Sequence, residues 1–225
     1  MDQNTDMGRI VIDSLSKEYN LNKLDVGSDA RLAKKGMVFT TESYDVAGVG
    51  RLCVLRMRAM LGIMKMETVV LSVFNKDMPL FNADWVKAAG NETRIVELYD
   101  TQLSPYSGKL LGRIDEISKR DSDLKDYKST APHWYDSIRY SCSYAKTGKK
   151  VSDRLYESAK DCISAYIDDL ITAESCDERA KREKVREFAV NLYNNGGPAV
   201  DQIKKLFGEE TAKRLILRHM YGVDE

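Results

Sequence analysis

The sequence predicts an α/β protein, a three-layer α/β/α sandwich with a central antiparallel sheet flanked by helices. Three observations lead there. Segments 37–46, 51–60, 64–74, 79–86 and 93–101 are short, rich in Val, Leu, Met and Thr, and follow one another directly. Their connectors (Gly62, then Asn75-Lys76-Asp77, then Ala89-Gly90-Asn91) are too short to hold a crossover helix, so neighbouring strands pair antiparallel. Runs such as Val69-Val70-Leu71-Ser72-Val73-Phe74 are apolar on both faces, which helices on both sides of the sheet explain most simply.

The remaining elements follow in order. Ile10, Val11, Leu15 and Tyr19 sit at helical spacing and predict a helix over 8–19, followed by a polar stretch to about residue 36. Leu110, Leu111, Ile114 and Ile117 predict a helix over 104–119, and the charged, Pro-bounded 120–133 reads as a loop. The run Ile138–Lys146 is strand-like. Residues 152–172 carry an apolar stripe of Leu155, Ala159, Cys162, Ile163, Tyr166, Ile167 and Leu170. Ser175 and Glu178 form a capping-box pattern ahead of a helix over 176–194. Asn194-Asn195-Gly196-Gly197 stops that helix, Pro198 opens the next, and Gly208 precedes a last one over 209–220. Without repeats or a linker, residues 1–225 read as a single domain.

Composition narrows the function classes. Hydrophobic residues make up 43% and charged residues 31%, as in a folded, soluble chain. The 35 basic and 35 acidic residues cancel, so no global field draws the chain to nucleic acid or membrane, although a local basic patch stays open. The polar N-terminus and short apolar runs carry neither a secretory signal nor a bilayer span. Cys53, Cys142, Cys162 and Cys176 lie within apolar patterns and form no C-x-x-C pair. They read as reduced thiols of a cytoplasmic protein rather than metal ligands.

No dinucleotide, P-loop, hydrolase or zinc-protease motif is present, and Gly48-Val49-Gly50 precedes a strand as a turn would. The residue that stands out is Asp84, a carboxylate among Phe81, Ala83 and Trp85. In a pocket, desolvation would raise its pKa and make it a proton donor; at a strand end it would merely cap a loop. Arg56 and Arg58 share one strand face by period two, and either bind carboxylates or pair with Glu67 on the next strand. Met57, Met60, Met64 and Met66 suit an adaptable core or pocket lining. His133 and Trp134 follow Pro132 as a pocket entry or a packed turn, and His219 suits packing. Lys146, Lys149 and Lys150 form a basic cluster, either a solvated turn, an anion contact at a pocket rim or a docking patch for an acidic partner.

Three stretches in sequence order carry a resemblance: 69–86 (VVLSVFNKDMPLFNADWV), 131–142 (APHWYDSIRYSC) and 194–222, with its Phe207-Gly208-Glu209 junction. Together they resemble the ferredoxin-dependent bilin reductase family (phycocyanobilin and phytochromobilin reductase-like) and, more distantly, the red chlorophyll catabolite reductases. The resemblance implies a ligand pocket between the sheet and the C-terminal helices. It implies reduction there of an open-chain tetrapyrrole such as biliverdin, without bound flavin or metal. Reduced ferredoxin would deliver single electrons, and pocket side chains the protons. Asp84 falls on the family's catalytic aspartate and Lys146 on a basic residue that meets a propionate. Arg56 and Arg58 would join Lys146 as carboxylate contacts, with Met57, Val70, Trp85 and Asn195 against the ligand. The chain departs from the family where Val70 replaces an active-site His or Asn, where Arg58 falls near an acidic position, and where Asn194-Asn195-Gly196-Gly197 replaces a loop that often bears an acid. These departures leave open a second reading, a non-catalytic ligand-binding or interaction module on the same fold, since one carboxylate does not easily serve several proton transfers.

Overall fold

The computed structural model describes residues 6–106, 108–129 and 131–223. Helix α1 (Met7–Leu15) starts where the Asp6 carboxylate accepts the Arg9 amide at 2.8 Å, satisfying one of the free donors of the first turn. It ends four residues before the predicted boundary, in turns closed by the Glu18 and Tyr19 amides on the Leu15 carbonyl. Two short strands, β1 (Leu21–Lys23) and β2 (Arg31–Lys34), then arise within the stretch read as a polar connector. Both are edge strands with mostly exposed side chains, so they carry no apolar alternation for a sequence reading to detect.

The five predicted strands form at nearly the expected bounds: β3 (Met37–Val46), β4 (Gly50–Ala59), β5 (Met64–Val73), β6 (Leu80–Ala88) and β7 (Asn91–Tyr99). Together with β8 (Lys125–Asp126) and β9 (Tyr144–Lys149) they complete a sheet ordered β1-β3-β4-β5-β6-β7-β9-β8, with β2 also paired to β3 and every pairing antiparallel. Two adjacent rows of this register position the site. Leu55, Thr68, Asp84, Ile95 and Ala145 stand opposite one another on β4, β5, β6, β7 and β9 and share one face. Arg56, Glu67, Trp85, Arg94 and Lys146 form the next row and share the other face.

Helices cover both faces, which confirms the three-layer α/β/α architecture. On the Arg56 face, α1, α2 (Leu110–Arg120) and α3 (Ser152–Thr172) pack against Leu52, Val54, Val69, Leu71, Phe81 and Ala83. All seven stripe residues of α3 are buried, and Tyr166 donates its hydroxyl to the Pro79 carbonyl at 2.7 Å. On the Asp84 face lie α4 (Glu178–Asn195), α5 (Pro198–Phe207) and α6 (Glu209–Lys213), which runs into a π-helical turn over Arg214–Met220. They bury Cys53, Leu55, Met57 and Val70 beneath Val185, Phe188, Ile203 and Leu215. Lys181 of α4, fully buried, donates to the carbonyls of Met78 and Thr101 at 2.6 and 2.7 Å and so ties this layer to one end of the sheet.

Three local expectations change. α2 begins at Leu110 rather than 104, and Ser107 of the expected helix lies outside the described residues. The cap of α4 is Asp177, whose carboxylate accepts the Ala180 amide at 2.9 Å, while Ser175 instead bridges to Lys76 beside β5. The strand-like run from Ile138 becomes strand only at Tyr144, because Trp134–Ser137 forms a 3₁₀ turn and Tyr99 bridges to Arg139.

Candidate functional site

A cavity of about 640 Å³ opens between the sheet and the C-terminal helices, within the size range of small-molecule sites. Its floor is the Asp84 face of β5–β7: Thr68, Asn82, Asp84, Ile95, Glu97 and Tyr99. Phe188 and Leu192 of α4, Ala199 of α5, and Met220 and Tyr221 at the end of the π turn form the opposing apolar wall. Residues 127–129 and 131–145 close one side with Tyr127, Lys128, His133, Tyr135, Asp136, Arg139 and Tyr140. Large aromatic and aliphatic surfaces with a few convergent polar groups suit a flat, partly charged organic ligand.

Asp84 sits in the cavity floor with two donors fixed by the strand geometry. Thr68, directly opposite on β5, donates its hydroxyl to Oδ1 at 2.5 Å. Asn82, two residues back on β6 and hence on the same face, donates its amide to Oδ2 at 2.7 Å. Burial pushes the Asp84 carboxyl up from 3.8 to about 6, and the nearby Glu97 charge adds to the rise, while the two hydrogen bonds oppose it. The acid therefore exchanges its proton close to neutrality, as a general acid must.

A second cluster lies one strand away. Glu97 accepts the Tyr99 hydroxyl at 2.6 Å and Arg139 Nη1 at 2.7 Å, and Arg139 Nη2 reaches Asp136 at 3.1 Å. Burial raises the phenol pKa values of Tyr99, Tyr135 and Tyr221, so all three present neutral hydroxyls to the cavity at neutral pH. His133 stacks on Tyr135 with ring centroids 4.8 Å apart. Arg139, Lys128 and His133 are the basic side chains lining the cavity. Sequence reasoning singled out His133 and missed Arg139, Lys128, Glu97 and Tyr135 as site residues. The one available signal was Asn82 and Asp84 at period two, which marks the cavity face of β6.

The structure separates the other predicted site residues from Asp84. Arg56 projects from the opposite face, where it pairs with Glu67 at 2.7 Å, Glu42 at 2.6 Å and Asp6 at 2.9 Å, so its alternative role as Glu67's partner is the one observed. Arg58 follows the same parity and is exposed near the end of β4, between Val38 and Lys65. Trp85 is buried beside Arg94, whose guanidinium lies 5.8 Å from its ring, and Lys146 is buried with Nζ 2.6 Å from Asp126. None of these four lines the cavity, and the expected carboxylate contacts through them are corrected: odd and even positions of a strand cannot face the same way. Val70 and Met57 do face the Asp84 side but are buried in the apolar cluster under α4–α6. Asn195 is exposed at the end of α4, while Gly197 and Ala199 just beyond it reach the cavity. His219 packs against Asp29 at 3.2 Å, away from the site. The four cysteines are unpaired, and no group of potential metal ligands occurs among the described residues. No described helix is long and apolar enough to cross a membrane.

No protein-family model matches the sequence, and no curated protein matches it either. Solved structures do. The crystal structure of selenomethionine phytochromobilin synthase from tomato in complex with biliverdin superposes with a TM-score of 0.76, over 96% of this chain and 83% of that one, at 13% identity. At that identity the likeness is one of architecture, and it establishes that this chain has the α/β/α fold of phytochromobilin synthase.

Proposed function

We propose that this chain, as a single domain over residues 1–225, is a bilin-reductase-like protein. It binds an open-chain tetrapyrrole of the biliverdin type in the cavity between the sheet and α4–α6. Asp84 supplies a proton to the ligand as single electrons arrive from a reduced ferredoxin-type donor, with no bound cofactor. The observation that carries this reading is Asp84 itself, a carboxyl held near pH 6 by burial in the floor of a cavity with aromatic and basic lining. The shared fold with a protein crystallised on biliverdin supports it. Arg139 and Lys128 take the role of propionate contacts that the sequence assigned to Arg56, Arg58 and Lys146. The unpaired cysteines suit a cytoplasmic location.

Titration of biliverdin followed by its visible spectrum tests binding, and no spectral change at excess protein removes the ligand class. An anaerobic assay with reduced ferredoxin tests turnover. Asp84→Asn is expected to keep binding and abolish conversion, and an unchanged rate removes Asp84 from the mechanism. One observation favours a second reading, a binding module without turnover. Val70 stands where the family resemblance places a proton-bearing residue, and it is fully buried among apolar side chains. Stable binding with no conversion under any reductant decides for that reading.

A further inference from the structure

One end of the sheet collects charge that the balanced composition hides. The β2–β3, β4–β5 and β6–β7 turns and the end of β9 all lie along it, as the register requires. The turns and strand ends 34–37, 58–65, 87–92 and 148–150 along it contain Lys34, Lys35, Arg58, Lys65, Lys87, Lys149 and Lys150 against the acid Glu92, while the entry to β8 adds Asp123, which Arg154 pairs at 2.6 Å. Glu92 is buried and engaged with Arg94 and Ser152, with Lys87 3.9 Å away. The other six cations make no ion pair among the described residues. Arg58, Lys65 and Lys87 stand directly opposite one another on β4, β5 and β6. Like charges in that arrangement repel across the strands and weaken the sheet, so the row has no rationale in stability.

An apolar tip projects from the middle of this row. At the β4–β5 turn Met60, Leu61 and Ile63 are 66%, 105% and 61% exposed. Met60 and Leu61 also occupy left-handed backbone, at φ of 52° and 55°, where glycine or asparagine is favoured. The turn therefore displays large apolar side chains against both solvation and backbone preference.

We propose that this end of the sheet docks on an anionic lipid bilayer, with Met60, Leu61 and Ile63 inserted among the headgroups and the cations against the lipid phosphates. A bilayer is favoured over an acidic protein because the tip is convex and largely exposed, Leu61 fully so. A bilayer accepts such a knob without shape complementarity, whereas a protein needs a matching pocket. From β4 to β9 the charges span roughly 20 Å of adjacent strands, a broad front suited to a charged plane. The inference departs from the expectation of no membrane partner, which rested on net charge, and it does not depend on the reading of the cavity.

Co-sedimentation of the full chain with phosphatidylcholine vesicles, with and without phosphatidylglycerol, tests it. Binding is expected only with the anionic lipid and is expected to weaken at least about tenfold at about 0.5 M salt. Leu61→Ser with Ile63→Ser, both on exposed side chains, is expected to lower partitioning about tenfold at unchanged thermal stability, and Arg58→Glu with Lys65→Glu to lower it comparably. Absence of binding to anionic vesicles overturns the proposal. So does a serine variant that binds like the original, since that assigns the docking to charge alone. A tip-dependent dimer without vesicle binding assigns the tip to a second copy and overturns it as well.

Discussion

Asp84→Asn isolates the energetic cost of keeping a carboxyl in the cavity floor. Thr68 and Asn82 both donate to Asp84, and an asparagine can keep this pattern: its oxygen accepts from Asn82 while its amide donates to the Thr68 hydroxyl, which rotates. The principal change is the loss of charge. A carboxyl whose pKa is 3.8 in the unfolded chain and about 6 when folded holds its proton more tightly in the native state. Its contribution to stability is therefore complete below 3.8 and is lost as pH rises through 6. Over that window native stability falls by ~1.4 kcal/mol per pH unit, a total of ~3 kcal/mol. Glu67, raised to about 7 chiefly by burial, titrates in both proteins and cancels in the comparison. Urea unfolding of both proteins between pH 4 and 8 measures the difference. The asparagine variant is expected to match the original near pH 4, to gain steadily to pH 6, and to stay ~2–3 kcal/mol more stable above it. Parallel curves across this range, or a variant less stable at pH 8, would refute the claim that burial of the charged form dominates this site.

Three further perturbations separate the two faces of the sheet. Arg56→Met leaves fully buried Glu67 without its guanidinium partner and is expected to cost about 3–5 kcal/mol in urea unfolding, with biliverdin affinity unchanged by absorbance titration. Arg139→Ala removes a cation from the cavity wall and is expected to weaken binding of a dicarboxylate tetrapyrrole about tenfold, while its dimethyl ester loses little, a contrast read by the same titration. Val70→His inserts a larger, polar ring into a filled apolar cluster and is expected to destabilise by about 1–3 kcal/mol in thermal or urea unfolding, without creating a proton donor in the cavity.

The layers were legible because they rest on local signals. Short connectors imposed antiparallel neighbours between β4 and β7, and the stripe from Leu155 to Leu170 gave α3 its bounds. The edge strands β1, β2 and β8 were not legible, since their side chains are mostly solvated and pairing alone makes them strands. Between β8 and β9, residues 127–129 and 131–143 form no strand, although 138–146 reads as strand-like in the sequence. They are held beside the cavity by long-range bonds, including the Asp100 amide to the Ile138 carbonyl and the Tyr140 amide to the Leu98 carbonyl. Arg139 and Tyr135 therefore join the site through contacts that no sequence window contains.

The division of charges between faces was partly written in the sequence. Asp84 and Trp85 are consecutive in one strand, as are Arg56 and Met57, so period two alone forbids each pair from lining one cavity. Carrying the Arg56–Glu67 pairing one strand further sets Trp85, and not Asp84, in the row of Arg56. What period two cannot say is which face holds the cavity, because both faces are apolar along β5. That choice is made by the helices. On one side α1 and α3 pack close against the sheet, and the polar groups there, Arg56, Glu67, Arg94 and Lys146, find fixed partners within the protein. On the other, α4–α6 cover β4 and much of β5 with apolar contacts but leave β6 and β7 facing a space that residues 127–129 and 131–145 only border. Asp84 therefore meets the cavity not because its own strand is unusual but because the cover of that face stops short of it. The raised pKa of its carboxyl follows from the same arrangement, which supplies two neutral donors and no cation in contact with it.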